Sequence, residues 1–362
     1  MRQYGHDVDS PKHGETIVKI TVVGAGAMGS LLAARLTAAM NSHAADPDAA
    51  PELNDVLLYG RQSEHLEVIR KDGLNLTERD GQTNNIKLHV TSNPEDVAGS
   101  DVVIVLVKAW ATGEACAPLA PYLERQTIVL TLQNGLGNAH ALRDVLTYKG
   151  VRPHIWMGVT TQAAVRTSPG QVTHTTDGLT AIGRRTPAIN DRLAGLANTL
   201  RDNGWRTNAV ADIHRWVWRK LAVNCALNPT TALASVPTRS VAVDPDLLQA
   251  ARVIIEEVVA VAAKEGVRLH TDTLVEVMES FALSTANPYT SMYVDLEQGL
   301  RTEIDAINGA VVRHARRHNV PVPNNLMMLR LVSAHEHGHR PEPGKSKEDS
   351  SYTRGFHPTP QV

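Results

Sequence analysis

A glycine-rich turn directly after an apolar run constrains this chain more than any other feature of its sequence. The run IVKITVV begins at Ile17, and the segment MGSLLAARLTAAM that follows the turn has helical spacing. A strand, turn and helix of this kind bind the pyrophosphate of a dinucleotide. The first glycine permits the tight turn, the second lets the backbone approach the phosphates, and the third allows helix and strand to pack closely. We therefore expect cofactor contacts from Gly24, Ala25, Gly26, Ala27, Met28 and Gly29.

Further apolar runs predict a mostly parallel sheet. DVLLYGR, DVVIVLVKAW (Asp101 to Trp110) and TIVLTLQNGLGN (Thr127 to Asn138) are continuously apolar rather than alternating. Such strands, separated by helices, are typical of a sheet covered on both faces. Short strands with Gly and Pro turns, from Ile155 to about Arg185, predict an antiparallel extension of the same sheet. The fold class is therefore an α/β Rossmann-type domain in its first part.

The pattern changes to helical spacing from Ile213, which predicts a second, all-α domain. Its long periodic segments are HRWVWRKLAVNCALNPTTALA, DPDLLQAARVIIEEVVAVAAKEG and TEIDAINGAVVRHARRHN. Asp244 is a candidate N-cap with Pro245 at the first helical position, and Gly266 is a candidate stop. We place the boundary near Ala211. The predicted division is a disordered arm (1–15), an NADP-binding domain (16–211), a helical substrate and catalytic domain (212–334) and a disordered tail (335–362).

Charge and cysteine usage exclude several classes of function. The formal net charge is −2, which implies no general attraction to nucleic acid or to an anionic membrane. No apolar run approaches the length that spans a bilayer. Cys116 and Cys225 each lie in an apolar stretch, and two buried thiols suit a reducing cytoplasm better than a disulfide framework or a zinc site. The histidines of the tail lack regular spacing, so we expect no metal.

The residue after the second strand favours one cofactor. NAD-binding versions of the fold carry an acid there for the ribose hydroxyls, but DVLLYG is followed by Arg61. A guanidinium can bind a 2′-phosphate in bidentate fashion. The sequence therefore favours NADP, and the alternative is an ordinary surface arginine.

Polar residues at helical spacing mark a candidate catalytic face. Lys220, Asn224 and Asn228 fall at i, i+4 and i+8 within the otherwise apolar segment RKLAVNCALNP. A lysine in such a place can lower its pKa and act as a general acid. The alternative, an exposed lysine with two asparagines that cap neighbouring loops, is equally compatible with the spacing alone.

Two further clusters complete the candidate site. Lys108 and Asn134 stand at the carboxyl ends of predicted strands, where ligands bind in open α/β sheets. Ser291 and Glu303 belong to SMYVDLEQGLRTEIDAINGAVV, with Glu303 and Asp305 near the start of a helix. Acids at that position often only complement the helix dipole. A role that only complements the helix dipole fits Asp305, and spacing alone does not exclude the same role for Glu303.

Taken together, the segments resemble the ketopantoate reductase (2-dehydropantoate 2-reductase) family. The similar pieces occur in the family's order across Ile17 to Asn324: GAGAMG, VKAWAT, LQNGLGN, GVTTQAAV with PGQVTH, KLAVNCALNPTTAL, and SMYVDL with TEIDAINGAVV. The resemblance implies NADPH-dependent reduction of 2-dehydropantoate to pantoate, in pantothenate biosynthesis.

The resemblance also implies roles for individual residues. Lys220 would protonate the carbonyl oxygen as hydride arrives, and Glu303 would bind near substrate and cofactor. Asn224, Asn228 and Ser291 would bind substrate polar groups. Contacts to the cofactor would come from Lys108, Asn134 and the backbone at Ala163. The expected partner is a small 2-keto acid, with a homodimer left open.

The chain departs from the family pattern in places that bear on the substrate. Leu300 takes the place of an arginine and Arg301 follows it, Thr238 replaces an occasional asparagine, and the Asn41 to Asn54 loop and the tail are extra. Two alternatives therefore stay open. One is a related reductase of another 2-keto acid or an imine, and the other is a non-catalytic NADP-binding sensor, which would not need the Lys220 and Glu303 set.

Overall fold

The structure is a computed structural model that describes residues 17, 19–44, 53–285 and 288–338. The predicted arm lies outside the described residues, as do the middle of the 41–54 loop and the tail beyond Gly338. No helix among the described residues is both long enough and apolar enough to cross a membrane.

Strands and helices are mixed along the chain as far as Ala209, and helices alone follow from Ile213 among the described residues. The strands are β1 (Lys19–Val23), β2 (Asp55–Tyr59), β3 (Leu74–Thr77), β4 (Thr83–Ile86), β5 (His89–Thr91), β6 (Val102–Val105), β7 (Ile128–Thr131), β8 (His154–Thr160), β9 (Ala163–Ser168), β10 (Gln171–Thr176), β11 (Thr180–Gly183) and β12 (Thr207–Ala209). The helices are α1 (Ala27–Ala44), α2 (Glu64–Asp72), α3 (Thr112–Cys116), α4 (Asn138–Val145), α5 (Asp191–Asp202), α6 (Ile213–Ala234), α7 (Ser240–Val243), α8 (Pro245–Lys264), α9 (Thr271–Ser284), α10 (Ser291–Glu297), α11 (Asn308–His318) and α12 (Pro323–Gly338).

The main sheet has eight strands in the order β12-β11-β8-β7-β6-β1-β2-β5. From β5 to β8 all neighbours are parallel, and β11 pairs antiparallel with β8. The predicted parallel sheet with an antiparallel extension is confirmed. The chain reverses its direction of travel across the sheet between β1 and β6. A crevice therefore opens at their carboxyl ends, where ligands of such sheets bind.

The prediction that residues 155–185 all extend this sheet is wrong for β9 and β10. These two strands join β3 and β4 in a separate four-stranded sheet of order β4-β3-β10-β9, which packs on α1. In β10, buried Val172 and His174 alternate with more open residues. Alternation of this kind suits a sheet with one covered face, whereas the main sheet is covered on both faces.

The helical domain is built around α6 and α8, which pack against each other over a second apolar core. Asp244 accepts hydrogen bonds from the N–H groups of Asp246 and Leu247, which confirms the predicted N-cap of α8. Gly266 has a φ of +79°, which ends that helix as expected. The last strand of the main sheet ends at Ala209 and α6 begins at Ile213. The boundary near Ala211 falls between them and stays a prediction.

Three predicted boundaries are wrong by part of a helix. The first helix continues to Ala44, into the predicted loop from Asn41. The last helix continues to Gly338, so residues 335–338 are helical rather than part of a disordered tail. The predicted helix over TEIDAINGAVV begins only at Asn308. Ile307, with φ −98° and ψ −97°, departs from helical geometry just before it, so Glu303 and Asp305 lie in a turn instead.

The two cysteines are free and buried, as predicted. Burial raises the pKa of the Cys116 thiol to about 12. Neither thiol therefore has the thiolate character of a nucleophile or a metal ligand near neutral pH.

Candidate functional site

The glycine turn after β1 has the geometry that dinucleotide binding requires. Gly24 has a φ of +118°, and its N–H donates to the carbonyl of Tyr59 at 2.8 Å. A Cβ on Gly29 would lie 1.9 Å from the carbonyl oxygen of Gly24, so only glycine lets α1 start this close to the strand. A Cβ on Gly26 would meet nothing within 4 Å, which leaves open space in front of the turn. The first turn of α1 carries no acidic side chain to repel phosphate.

Arg61 lies one residue beyond Gly60, after the end of β2, and its side chain is exposed. A Cβ on Gly60 would lie 2.8 Å from the Cβ of Ala25, so Arg61 is close to the glycine turn. The guanidinium has no hydrogen bond or ion pair with any residue that the structure describes. It is therefore available to an anion bound beside the turn.

A chain of hydrogen bonds joins Lys220 on α6 to Glu303 through Asn134. Lys220 Nζ donates to Asn134 Oδ1 and to the backbone carbonyl of Thr160, each at 2.7 Å. Asn134 Nδ2 donates to Glu303 Oε2 at 3.2 Å, and Glu303 Oε1 accepts the N–H of Ala109 at 2.9 Å. The Lys220 ammonium can only donate hydrogen bonds, and the Glu303 carboxylate can only accept them. Because Asn134 lies between the two, they fix the orientation of its side-chain amide. Residues from both domains therefore form one polar cluster.

The ammonium of Lys220 is set up to give up a proton. Burial lowers its pKa from 10.5 to about 8, and the negative charge of Glu303 opposes that shift. An ammonium has three N–H donors, of which Thr160 and Asn134 accept two. The third has no acceptor among the residues that the structure describes and can reach an oxygen atom of a ligand. A general acid with a pKa near the working pH is protonated yet a ready donor.

The side chain of Lys108 reaches across the cleft in the opposite direction to Lys220, from the sheet domain to the helical domain. It follows β6 by three residues, and its Nζ donates to Asp295 Oδ2 on α10 at 2.5 Å. Asp295 is buried, with 8% exposure. Burial raises the pKa of its carboxyl, as do the nearby charges of Glu303 and Glu336, whereas Lys108 opposes the shift.

The other predicted site residues are less closely joined to this cluster. Asn224 and Asn228 follow Lys220 on successive turns of α6, and neither amide has a hydrogen bond with a described residue. Ser291 is the exposed first residue of α10. Ala163 begins β9 in the second sheet. The side chains of Asn224, Asn228 and Ser291 can therefore offer hydrogen bonds to a ligand.

Sequence reasoning missed three residues that the structure places at the cleft. Asp295 pairs with Lys108, the Thr160 carbonyl accepts from Lys220, and the Trp110 ring lies 5.5 Å from the Arg301 guanidinium. The spacing of Asp295 four residues after Ser291 was a readable signal, because it puts both on one face of a helix. A backbone carbonyl has no such signal.

Comparison with known proteins agrees with this geometry. Residues 20–187 match the family described as "Ketopantoate reductase PanE/ApbA", and residues 212–336 match its C-terminal region. The 2-dehydropantoate 2-reductase of Halobacterium salinarum is 36% identical over 306 residues, covering 84% of this chain and 95% of that protein. The chain belongs to the ketopantoate reductase family. The 2-dehydropantoate 2-reductase of Pyrococcus horikoshii is 32% identical, over 88% of this chain and 98% of its own.

Solved structures show the same fold for this family member. A ketopantoate reductase family protein from Ralstonia eutropha superposes with a TM-score of 0.76 at 28% identity, covering 89% of this chain and 99% of that one. D-mandelate dehydrogenase in a ternary structure with NADH and anilino(oxo)acetate gives a TM-score of 0.77 at 26% identity, with the same coverage. The fold therefore occurs both in a ketopantoate reductase family protein and in a D-mandelate dehydrogenase.

Proposed function

We propose that this protein reduces 2-dehydropantoate to pantoate with NADPH. The observation that carries the proposal is the Lys220–Asn134–Glu303 cluster, assembled from both domains beside the crevice at the carboxyl ends of β1 and β6. Relatives named 2-dehydropantoate 2-reductase, at 36% and 32% identity over most of their length, support the choice of substrate.

The residues present fit a bound dinucleotide phosphate. Gly26 faces open space, Gly24 and Gly29 allow the tight approach of strand and helix, and Arg61 offers an uncommitted guanidinium. We propose that the turn from Gly24 to Gly29 binds the pyrophosphate and that Arg61 binds the 2′-phosphate. When bound, the reduced nicotinamide supplies a hydride to the carbonyl carbon of the substrate.

The chain's own residues then supply the proton and the binding contacts. Lys220 points its free N–H at the substrate carbonyl oxygen and donates the proton as negative charge develops there. That interaction strengthens only in the transition state, which is where it accelerates the reaction. The two hydrogen bonds of Asn134 hold Lys220 and Glu303 at fixed positions relative to each other. Asn224, Asn228 and Ser291 offer hydrogen bonds to the hydroxyl and carboxylate groups of the substrate.

A second candidate is a related reductase of another 2-keto acid. Leu300 and Arg301 favour it, because they alter the family pattern beside Glu303 and Arg301 reaches Trp110 at the cleft. The likeness to D-mandelate dehydrogenase indicates an aromatic 2-keto acid as the alternative substrate.

A spectrophotometric assay of NADPH oxidation tests both candidates. The panel contains 2-dehydropantoate, phenylglyoxylate, pyruvate and 2-ketoisovalerate, each also assayed with NADH. We expect the highest kcat/KM for 2-dehydropantoate with NADPH. A higher value for phenylglyoxylate would select the second candidate, and no turnover with any of them would favour a binding role without catalysis.

A further inference from the structure

Asp295 is a buried carboxylate of the helical domain to which the proposed reaction gives no task. Its Oδ2 lies 2.5 Å from Lys108 Nζ, which comes from the sheet domain. We infer that Asp295 is a positioning residue, which acts through Lys108 to keep the two domains closed over the cleft. The expected effect on turnover rests on the proposed function, whereas the Lys108–Asp295 contact does not.

Three consecutive residues of the sheet domain each meet a different residue of the helical domain. Lys108 pairs with Asp295, the Ala109 N–H donates to Glu303, and the Trp110 ring stacks with Arg301. We call residues 108–110 the clasp loop. Of the three contacts, the Lys108–Asp295 pair alone joins two opposite charges, and one of them is buried. It therefore dominates the attachment of the loop.

The burial of Asp295 makes Lys108 its necessary partner. A buried carboxylate without a cation is costly, and the other charges near it are the acidic Glu303 and Glu336. Lys108 is thus the cation that lets Asp295 stay ionised inside the cleft. Loss of either side chain leaves the other without its counter-charge.

The helix that carries Asp295 links the clasp loop to the substrate side of the cleft. Ser291 and Asp295 lie four residues apart on α10 and so share a face. When Lys108 holds Asp295, it also fixes the distance between Ser291 and the sheet domain. A displacement of about 1 Å in such a contact can cost up to about 10²-fold in rate. In this structure the Lys108 Nζ is bound to Asp295 instead of being free for the cofactor contact that the family resemblance implies. Closure of the clasp loop should therefore affect turnover of the keto acid rather than the initial binding of NADPH.

Asp295→Asn separates an effect on turnover of the keto acid from an effect on NADPH binding, because it removes the counter-charge and leaves Lys108 in place. We expect kcat/KM for the keto acid to fall about tenfold, as for the loss of a charge-assisted hydrogen bond, while the Kd of NADPH stays within about twofold. Asp272→Asn is the matched control, since Asp272 is exposed and pairs with Arg252 at 2.8 Å on the same domain. The control should behave as wild type.

A double-mutant cycle tests whether Asp295 acts through Lys108. Lys108→Met should lower kcat/KM for the keto acid, and adding Asp295→Asn should lower it no further. Additive losses would overturn the inference, as would a Kd for NADPH that rises in Asp295→Asn as much as kcat/KM falls. Wild-type kinetics in Asp295→Asn would overturn it as well.

Hydrogen exchange provides a readout without substrate or cofactor. The Ala109 N–H is bonded to Glu303 across the cleft, so opening of the clasp loop exposes it. Asp295→Asn and Lys108→Met should each raise exchange at this amide about tenfold, and Asp272→Asn should not. If Asp295→Asn does not fold, Lys108→Met decides: unchanged exchange at Ala109 overturns the inference. This result stands even if the protein does not reduce 2-dehydropantoate.

Discussion

Lys220 and Lys108 cross the same cleft in opposite directions, and their partners differ. Lys220 reaches from the helical domain to two neutral acceptors, the Thr160 carbonyl and the Asn134 amide. Lys108 reaches from the sheet domain to the carboxylate of Asp295. A neutral acceptor offsets the desolvation of an ammonium less than a carboxylate does.

The difference assigns the two lysines different tasks. Burial lowers the pKa of Lys220 to about 8, so this residue can release its proton in the working range of pH. Lys108 instead forms an ion pair with the Asp295 carboxylate, which joins the two domains. We therefore propose that one residue type serves as proton donor at one point of the cleft and as half of an interdomain ion pair at another, and that the partner atoms decide which.

Removal of Lys220 should give the largest effect on catalysis. Lys220→Ala should lower kcat by about 10²–10⁴-fold, the usual scale for a positioned general acid. The Kd of NADPH, measured by fluorescence titration, should change little because Lys220 lies on the helical domain. Lys71→Ala, on the exposed last turn of α2, is the control. Near-normal turnover in Lys220→Ala would transfer the role of proton source to Glu303 or to water.

The pH dependence separates the two lysines directly. If Lys220 is the general acid, as we propose, its protonated form is the active one, and kcat should fall about tenfold for each unit of pH above about 8. Lys108→Arg, whose guanidinium stays charged throughout, should leave the position of this alkaline limb unchanged. If the limb moves in Lys108→Arg, the distinction between the two lysines fails.

The same shift makes a prediction for stability. The folded-state pKa of Lys220 lies below its ordinary value of 10.5, so the unfolded chain binds more protons between about pH 8 and that value. The contribution of Lys220 to the free energy of unfolding should therefore rise with pH across this window. Urea unfolding of wild type and Lys220→Met, compared at pH 7.5 and 9.5, measures the difference, which would be absent if Lys220 titrated normally.

Arg61 should affect binding without affecting proton transfer. Arg61→Ala removes a charge-assisted contact to the 2′-phosphate, so the preference for NADPH over NADH should fall by about tenfold or more. The Kd values of both cofactors measure it, and kcat at saturating NADPH should be nearly unchanged. Arg70→Ala, an exposed residue of α2, is the control. A wild type that prefers NADH would show that the absence of an acidic residue after β2 does not indicate a preference for NADPH.

The sequence alone predicts the regions whose geometry is local. The glycine turn depends on residues within six positions of one another, and the cap at Asp244 on its next three residues, so both can be read from the chain. Lys220, Asn224 and Asn228 could be placed on one helix face by spacing. In each case, the interactions that form the structure lie within one or two turns.

Contacts between distant segments were harder to predict. Asn134 and Glu303 are 169 residues apart, and Lys108 and Asp295 are 187 apart. Their places at the ends of predicted strands marked Lys108 and Asn134, and the resemblance to a family marked these two and Glu303, but no spacing rule shows which side chains meet. The spacing of Asp295 from Ser291 places both on one helix face, but it does not show that Asp295 meets Lys108. The second sheet was missed because β10 pairs with β3, a strand from a much earlier part of the chain, and the sheet that they form packs on α1.

The smallest expected effect concerns Arg301, which stands where the chain departs from the family pattern. Its guanidinium lies 5.5 Å from the Trp110 ring across the cleft and also pairs with Asp305 at 3.2 Å. Both side chains of the Trp110–Arg301 pair are exposed, and such cation–π contacts contribute about 0.5–1 kcal/mol. Trp110→Ala and Arg301→Ala should therefore each lower kcat/KM for the keto acid by about two- to fivefold. The double variant should lose no more than either single one, because the two side chains act as a pair.

A larger loss in Arg301→Ala would assign this arginine a different task. An arginine that bound the substrate carboxylate directly would lose a charge-assisted contact, so kcat/KM would fall by about tenfold or more. Trp110→Ala would not reproduce that loss, and the effect would weaken at high salt. Arg301→Lys distinguishes the two cases further, because an ammonium keeps the charge but loses the planar stacking of a guanidinium. Equal small losses in all three variants would place Arg301 with Lys108 among the cations that close the cleft, and a loss confined to Arg301 would make it a substrate ligand.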